Sequence, residues 1–552
     1  MSADSELAFP VLTPPQIEAL RGCGTLRAVS AGEILFQEGD RGFCFYVVIA
    51  GSVEIVETST GAAKLVTVHG PGQFSGDVDM LSGRAALVTA RVAESGELIE
   101  IHAAALRKAV ADFPQIGEII VKAFLARRAL LISGGFTGVR IIGSRFSPDA
   151  HRLRDFATRN GIPFTWIDLE TDEQAETLLR EFGIPPSATP VVIGKHGKFA
   201  LNPSVAEFGH CAGLDLVLDP AEIHDLIVVG GGPAGLAAAV YGASEGLDVL
   251  VLERLATGGQ AGTSSRIENY LGFPAGISGA ELTRAALLQA QKFGARITVP
   301  ASVRRLRREG GVHIAELEDG SHVQTRCLLV ASGVDYRRLD VPRLAEFEGA
   351  GVYYAATEME ARLCRGEEVV VVGGGNSAGQ AVVFLATQAR RVHLVIRGDD
   401  LGRNMSRYLV DRIEGIANVT IHRTATVTTL SGDDHLSAVT LRDSLGHEHA
   451  IDTPSLFLFI GADPHTEWLQ GAVQLDRNGF VLTGPGLGLS DSDGDAWRVA
   501  GRTPFLLETS LPGVFAAGDV RSGSIKRCAS AVGEGSMAVS FVHAHIGALA
   551  RA

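Results

Sequence analysis

Two glycine clusters hold the residues of this chain best placed to do chemistry. The first reads Gly230-Gly-Gly232-Pro233-Ala234-Gly235 and stands between an apolar run, Leu226–Val229, and an Ala-rich stretch, Leu236–Ser244. A second apolar run, Val249–Leu252, ends in Glu253, 23 residues after Gly230. Strand, glycine turn, helix, strand and acid in that order form a dinucleotide-binding fingerprint. Gly230 permits the tight turn, Gly232 lets a pyrophosphate approach the backbone, and Gly235 lets helix and strand pack closely. The helix start offers unpaired N–H groups and a partial positive charge to phosphates. Glu253 can accept hydrogen bonds from a ribose.

The second cluster repeats the pattern. A predicted strand, Glu368–Val372, leads into Gly373-x-Gly375-Asn376-Ser377-Ala378, a helix to about Ala389, and a strand Val392–Ile396. Ile396 stands where the first unit has its acid, and a branched alkyl group cannot bond ribose hydroxyls. Arg397, with Arg403 nearby, can instead pair a 2′-phosphate, which favours NADPH and leaves NADH open.

The rest of the chain must position these two turns. Its 552 residues allow three or four domains. With 46% hydrophobic and 20% charged residues it reads as globular. A net charge of -14 argues against nucleic acid and anionic membranes as partners. Arg304, Arg305, Arg307 and Arg308 read as a solvated strand face. Residues 226–243 carry no charge, but their glycines and Pro233 mark strand, turn and helix, not a membrane span. No basic stretch followed by an apolar run opens the sequence, so a cytoplasmic location is expected. The six cysteines form no CxxC and have no zinc-ligand spacing with histidine, so no metal site is expected and each reads as a packing residue.

At the N-terminal end, residues 26–56 alternate short β-branched and aromatic runs with Gly and Asp turns, which predicts a β-barrel or jelly roll closed by a helical stretch, Ala103–Leu131. The runs AGEILFQEGDRG (31–42) and FYVVIAGSVEI (45–55) resemble a cyclic-nucleotide-binding domain. In that family a Gly-Glu pair contacts the ribose, and an Arg followed by small residues pairs with the cyclic phosphate. The resemblance therefore implies a cyclic-nucleotide site at Gly76, Asp77, Arg84 and Ala85, with Asp77 one methylene shorter than the usual Glu. A retained fold with no bound nucleotide stands beside this reading. No helix-turn-helix follows, which separates the chain from transcription factors.

Residues 134–220 supply a strand Val139–Gly143, a turn opening a helix Asp149–Asn160, a strand Phe164–Leu169, and Thr189-Pro190 before a strand Val191–Gly194. Their order resembles a thioredoxin- or glutaredoxin-like domain, with Pro190 at its cis-proline site. The family's redox CxxC would fall at Ser144-x-x-Ser147. Hydroxyls form no disulfide, so this module cannot run dithiol exchange and reads as a docking or spacer unit.

Beyond Glu253 come Gly258-Gly259-Gln260, Glu268-Asn269, Ala331-Ser332-Gly333, Gly518-Asp519, Lys526-Arg527-Cys528 and Gly533-Glu534-Gly535. In this order they resemble the low-molecular-weight thioredoxin reductases, a class of pyridine nucleotide-disulfide oxidoreductases. The resemblance implies an FAD site built by the first fingerprint (Gly230, Gly232, Pro233, Ala234, Gly235, Glu253), with Gly259, Gln260 and Asn269 along the flavin. Ala331, Ser332 and Gly333 would pass under the cofactor, Gly518 and Asp519 would lie at the ribityl chain, and Lys526, Arg527 and Cys528 would face the N1–O2 edge. It implies a nicotinamide-cofactor site at Gly373, Gly375, Asn376, Ser377, Ala378, Arg397 and Arg403. One departure is decisive. Where the family has Cys-Ala-Thr-Cys, this chain has Ala355-Ala356-Thr357-Glu358.

The expected fold class is multidomain. It comprises an N-terminal β-jelly-roll cyclic-nucleotide-binding-like domain (1–133), an α/β thioredoxin-like domain without CxxC (134–220), and two Rossmann-like α/β domains. Of these, 221–335 with 461–552 would bind FAD and 336–460 would bind NAD(P)H. The expected function is passage of a hydride from NADPH to FAD and onward to a non-disulfide acceptor, under control of a cyclic nucleotide. That acceptor would be a ferredoxin- or flavodoxin-like protein, a quinone-like molecule or oxygen. No residue is assigned a catalytic role, since ring stacking suffices for hydride transfer. The resembled family implies a homodimer. A low-turnover nucleotide- or redox-sensing scaffold, and a thioredoxin-disulfide reductase using an unrelated cysteine route, are the alternatives.

Overall fold

A computed structural model describes residues 7–57, 64–77, 79–133, 139–172, 175–181, 183–185, 188–194, 199–214, 216–488, 497 and 501–550. The expected boundary at 133–134 adjoins residues 134–138, which lie outside the described residues.

The N-terminal strands form one curled antiparallel sheet. Phe45–Glu57 and Thr89–Ile101 pair along most of their length, with Thr25–Val29 and Ile34–Phe36 on the second and Lys64–His69 on the first. Register shifts along Val48–Val53 mark bulges that bend the long strands around Phe45, Phe74 and Phe124, all fully buried. The expected single helical stretch 103–131 is instead two helices, Ala103–Asp112 and Pro114–Ser133. The physical reason is Pro114. Its ring pushes the preceding residue out of the α region, and Phe113 sits at φ -119°, ψ 78°.

Residues 140–201 build a four-stranded sheet in the order Thr165–Asp168, Arg140–Gly143, Val191–Ile193, Phe199–Leu201. The first pair is parallel and the rest antiparallel. The Thr189–Pro190 peptide is cis. Ser147 caps the helix Pro148–Arg159 by accepting from the Ala150 N–H, and the Ser144 hydroxyl donates to Glu170 at 2.6 Å.

The first fingerprint opens a seven-stranded sheet. Its parallel centre runs Arg296–Thr298, Val249–Leu252, Ile223–Val229, His322–Val330, with Val514–Ala516 returning from far along the chain to pair His322–Val330. These strands are buried on both faces, which is why they read as continuous apolar runs. Arg304, Arg305 and Arg308 lie exposed on the edge strand Val303–Glu309, and Arg307 pairs Glu309 and Glu316 beside them, as the solvated-face reading holds. The second fingerprint opens a five-stranded parallel sheet, Val352–Tyr353, Ser455–Leu458, Glu368–Val372, Arg391–Val395, Val419–His422. A short antiparallel pair, Val334–Tyr336 with Ala462–Pro464, carries the chain out of the first unit and back. Among the described residues, no helix is long and apolar enough to cross a membrane.

The helix Pro233–Ser244 and the last helix, Cys528–Leu549, meet at backbone distance. A Cβ on Gly535 would lie 2.0 Å from the Ala234 carbonyl oxygen. Both partners are main chain, so neither can yield without moving a helix. Gly535→Ala is expected to cost about 2 kcal/mol, read as a lower urea midpoint by circular dichroism. An unchanged midpoint would show that the two helices separate freely.

Candidate functional site

Local chemistry shapes the first turn. Gly230 has φ +108°, and a Cβ there would sit 2.2 Å from the Ala331 carbonyl oxygen. Gly235 lies beneath, where a Cβ would meet the Gly230 oxygen at 1.9 Å. Gly232 is different. It starts the helix Pro233–Ser244, and the nearest atom to its absent Cβ is Gly259 Cα at 3.9 Å. Glu253 is 7% exposed and accepts three backbone N–H groups, from Gly231 (2.7 Å), Leu255 (2.8 Å) and Ala256 (3.2 Å). A carboxylate has about four acceptor positions, so room for a ribose hydroxyl remains.

These residues open on one cavity of about 420 Å³. Gly230, Gly232, Pro233, Ala234, Glu253, Gly259, Gln260, Asn269, Ala331, Ser332, Gly333, Gly518, Asp519, Lys526, Arg527 and Cys528 all line it, although they span nearly 300 positions of sequence. Gly235 supports it from below. Gln260 Nε2 donates to the Val334 carbonyl, and the Ser332 hydroxyl donates to the His465 carbonyl at 2.7 Å. Glu534 accepts from the Gly518 N–H at 2.7 Å and pairs with Arg521, which fixes the loop carrying Asp519. Burial raises the Asp519 carboxyl above its ordinary value, partly offset by Lys526.

Asn376 and Ser377 of the second fingerprint line this same cavity. Gly373 has φ +146°, with the Phe459 carbonyl oxygen 2.4 Å from its absent Cβ, whereas nothing lies within 4 Å of that position on Gly375. Ala378 is buried under the turn. Ile396 is buried too, while Arg397 is exposed and Arg403 is paired with Asp399 at 3.2 Å on the surface. Such an exposed pair is worth under about 1 kcal/mol and yields readily to a phosphate. Sequence reasoning missed a latch between the units. Arg412 Nη1 donates to both carboxylate oxygens of Glu268, at 3.0 and 2.9 Å, beside Asn269. A charge pair 144 residues apart leaves no local signal.

Ala355 and Ala356 also line the 420 Å³ cavity. Thr357 caps the helix Glu358–Leu363 in a capping box with Glu360. Thr357, Glu358 and Met359 face a neighbouring cavity of about 350 Å³ that shares Arg159, Thr263, Ser264 and Ser265 with the first. All six cysteines are free. Burial pushes the Cys528 and Cys364 thiols up to about 11, so both stay protonated at neutral pH.

The expected N-terminal site divides. Gly76 and Asp77 line a barrel cavity of about 260 Å³, but Arg84 lines the 350 Å³ cavity and Ala85 lies beside Gly213 of the middle unit. The four expected residues therefore do not line one cavity in this structure. The barrel already buries Arg127, and a second guanidinium inside would have to be desolvated against its charge.

Burial, with Arg308 and His545 nearby, holds His313 neutral with its pKa down at about 3. The unfolded chain binds that proton near pH 6.5, so this group's contribution to stability falls as pH drops from 6.5 towards 3. His313→Gln is expected to flatten the fall in unfolding free energy between pH 6.5 and 4.5, measured by urea unfolding, by up to about 1.4 kcal/mol per pH unit at the steepest. Parallel profiles for both proteins would refute this.

Comparison with known proteins agrees with this geometry. Residues 224–535 match the family described as pyridine nucleotide-disulphide oxidoreductase, and residues 26–113 match the cyclic nucleotide-binding domain. The chain is 35% identical over 314 residues to a thioredoxin reductase of Mycolicibacterium smegmatis, covering 57% of this chain and 93% of that protein. It is 32% identical over 332 residues to one of the alkyl hydroperoxide reductase subunits of Escherichia coli, covering 58% of each. Among solved structures, T. acidophilum thioredoxin reductase aligns with a TM-score of 0.51 at 30% identity, over 58% of this chain and 98% of that one. Lactococcus lactis thioredoxin reductase in its FR conformation aligns with a TM-score of 0.52 at 26% identity, over 58% and 99%. The thioredoxin reductase-like family uses FAD and NADPH. The residues present fit both, because each fingerprint leaves open space over its second glycine and a helix start facing it.

Proposed function

The chain belongs to the pyridine nucleotide-disulphide oxidoreductase family, and from that premise we propose that it is an FAD-dependent NADPH oxidoreductase whose electron acceptor is not a disulfide. The carrying observation is that Ala355, at the wall of the large cavity, and Glu358, on the neighbouring one, stand at the two positions where the resembled family has its redox cysteines. Bound FAD would supply the centre that takes a hydride from NADPH and gives electrons on. The chain's own part is to hold and exclude. Gly230, Gly232 and the start of helix Pro233–Ser244 would cradle the ADP half, with Glu253 on its ribose. Asp519 and the Arg527–Cys528 helix start would hold the flavin end. Gly375, Asn376 and Ser377 would hold the nicotinamide cofactor, with Arg397 and Arg403 on its 2′-phosphate.

The 350 Å³ cavity beyond Thr357–Met359 supports a small acceptor over a docked protein. Its volume fits a small molecule, and Leu125, Leu287, Leu288, Phe384 and Met359 give it apolar walls that suit a quinone-like ring. The middle sheet, with Ser144 and Ser147 occupied in capping and hydrogen bonding, serves this reading as a thioredoxin-like spacer without redox chemistry. The N-terminal unit would gate electron flow through its ligand, a cyclic nucleotide in the reading of its sequence, by favouring one orientation of the NADPH unit against the FAD unit.

Anaerobic stopped-flow should show NADPH bleaching the flavin, followed by turnover with a naphthoquinone and none with thioredoxin. Thioredoxin turnover would overturn the non-disulfide assignment, and absence of bleaching would leave a scaffold. The double variant Arg397→Ala, Arg403→Ala is expected to raise the KM for NADPH about tenfold with little change for NADH. Equal effects on both cofactors would remove the 2′-phosphate role.

A further inference from the structure

The barrel of the N-terminal unit contains a charge that the chain leaves incompletely answered. Arg127, on the helix Pro114–Ser133, is 7% exposed. Its Nε donates to the Ala8 carbonyl at 2.8 Å and its Nη1 to the Gly76 carbonyl at 2.7 Å, and Nη2 has no hydrogen-bond acceptor among the described residues. The guanidinium lies over Phe74, with its carbon 4.7 Å from the ring centre. Among the described residues, no carboxylate bonds it. Asp77, the acid that offsets its charge, pairs with Arg128 at 3.7 Å. Burial lowers the Arg127 pKa to about 9, so the group remains a cation at neutral pH. A buried cation held by two carbonyls and an aromatic face is costly unless an anion completes it.

The space beside it is mostly apolar. The 260 Å³ cavity that Arg127 lines has walls of Phe36, Phe43, Ile55, Leu87 and Leu131. The other buried nitrogen-bearing side chain there, His69, is 2% exposed, with Nδ1 unpartnered among the described residues, and burial next to Arg127 keeps the ring neutral. Arg84, the cation expected for a cyclic phosphate, lines a different cavity. Thr67 and Asp77 also line the cavity, with the Asp77 charge answered by Arg128, so the open nitrogens of Arg127 and His69 are left to meet one small anion carried on an apolar body.

We propose that the N-terminal barrel is a receptor for an apolar monocarboxylic acid, whose carboxylate takes the open Nη2 edge of Arg127 and the Nδ1 of His69 while its hydrocarbon fills the cavity between Phe36, Phe43 and Leu131. This replaces the cyclic nucleotide as ligand of the N-terminal unit and does not depend on the identity of the electron acceptor. A polyanion is disfavoured, because the described walls offer no second cation to desolvate it against.

The test is calorimetric titration of the full-length, flavin-loaded protein with octanoate, 1-octanol, cyclic AMP and cyclic GMP. Octanoate is expected to bind one per chain, and octanol at least tenfold more weakly. Arg127→Gln is expected to bring octanoate down to the level of octanol. Because that variant removes a buried hydrogen-bonding group, Leu131→Trp provides a second test. It fills the cavity and should abolish octanoate binding while the flavin absorbance stays unchanged. Octanoate binding no tighter than octanol, octanoate binding that survives Leu131→Trp, or one-per-chain binding of a cyclic nucleotide in place of octanoate would each overturn the proposal.

Discussion

The buried carboxylate of Glu253 is the interaction on which the large cavity depends. One oxygen holds the Gly231 N–H of the glycine turn, and the other holds Leu255 and Ala256 of the loop that follows the second strand. Bonds to an ionised acceptor are stronger than neutral ones, roughly 1.5–3 kcal/mol each. They lock two loops together at the mouth of the sheet, and the Gly258 N–H adds a further tie to the Gly231 carbonyl at 2.7 Å. Once those loops are fixed, Gly259 and Gln260 fall opposite Gly232 and the cavity has its floor and one wall.

The other walls come from distant chain, and each is fastened by polar contacts between units. Asn160 of the middle unit donates to the Leu255 carbonyl at 2.9 Å, and Arg159 donates to the Gly259 carbonyl at 3.3 Å. Phe146 stacks on His435, with ring centres 4.4 Å apart, and His151 faces the buried Glu360 at 3.8 Å. The middle unit thus touches both fingerprint units. Its own hydroxyls at Ser144 and Ser147 are spent on local structure. Glu268 and Arg412 join the fingerprint units directly. This contact is polar and partly exposed, the kind that can be exchanged during a domain rotation without opening a core.

Loss of sulfur changes what such a frame can do. A cysteine at Ala355 or Glu358 would connect the large cavity to a disulfide partner. Ala355 lines the large cavity with a methyl group, and Glu358 faces the adjoining cavity. The buried thiols elsewhere are held protonated, which makes them poor nucleophiles and poor stand-ins.

Both fingerprints were legible in the sequence because glycine turns are local. The positive φ at Gly230 and Gly373, and the helix starts at Gly232 and Gly375, follow from local backbone geometry that spacing announces. The strands were legible because burial on both faces leaves unbroken apolar runs. The break before Pro114 was also present in the sequence, through a local steric rule that helix propensity obscured. Side-chain destinations were another matter. Arg84 and Arg127 are the same residue type, and no local signal says which one enters the barrel. Tertiary packing decided it, since only one guanidinium could be desolvated against Phe74 and two carbonyls. Likewise, the meeting of Arg412 with Glu268, and the separation of Ala355 and Ala356 from Thr357–Met359 into different cavities, exist only where separate units touch. The sequence determined which turns could hold dinucleotides, because that depends on neighbouring residues. The tertiary structure decided which charges share a cavity, because that depends on desolvation across the whole fold.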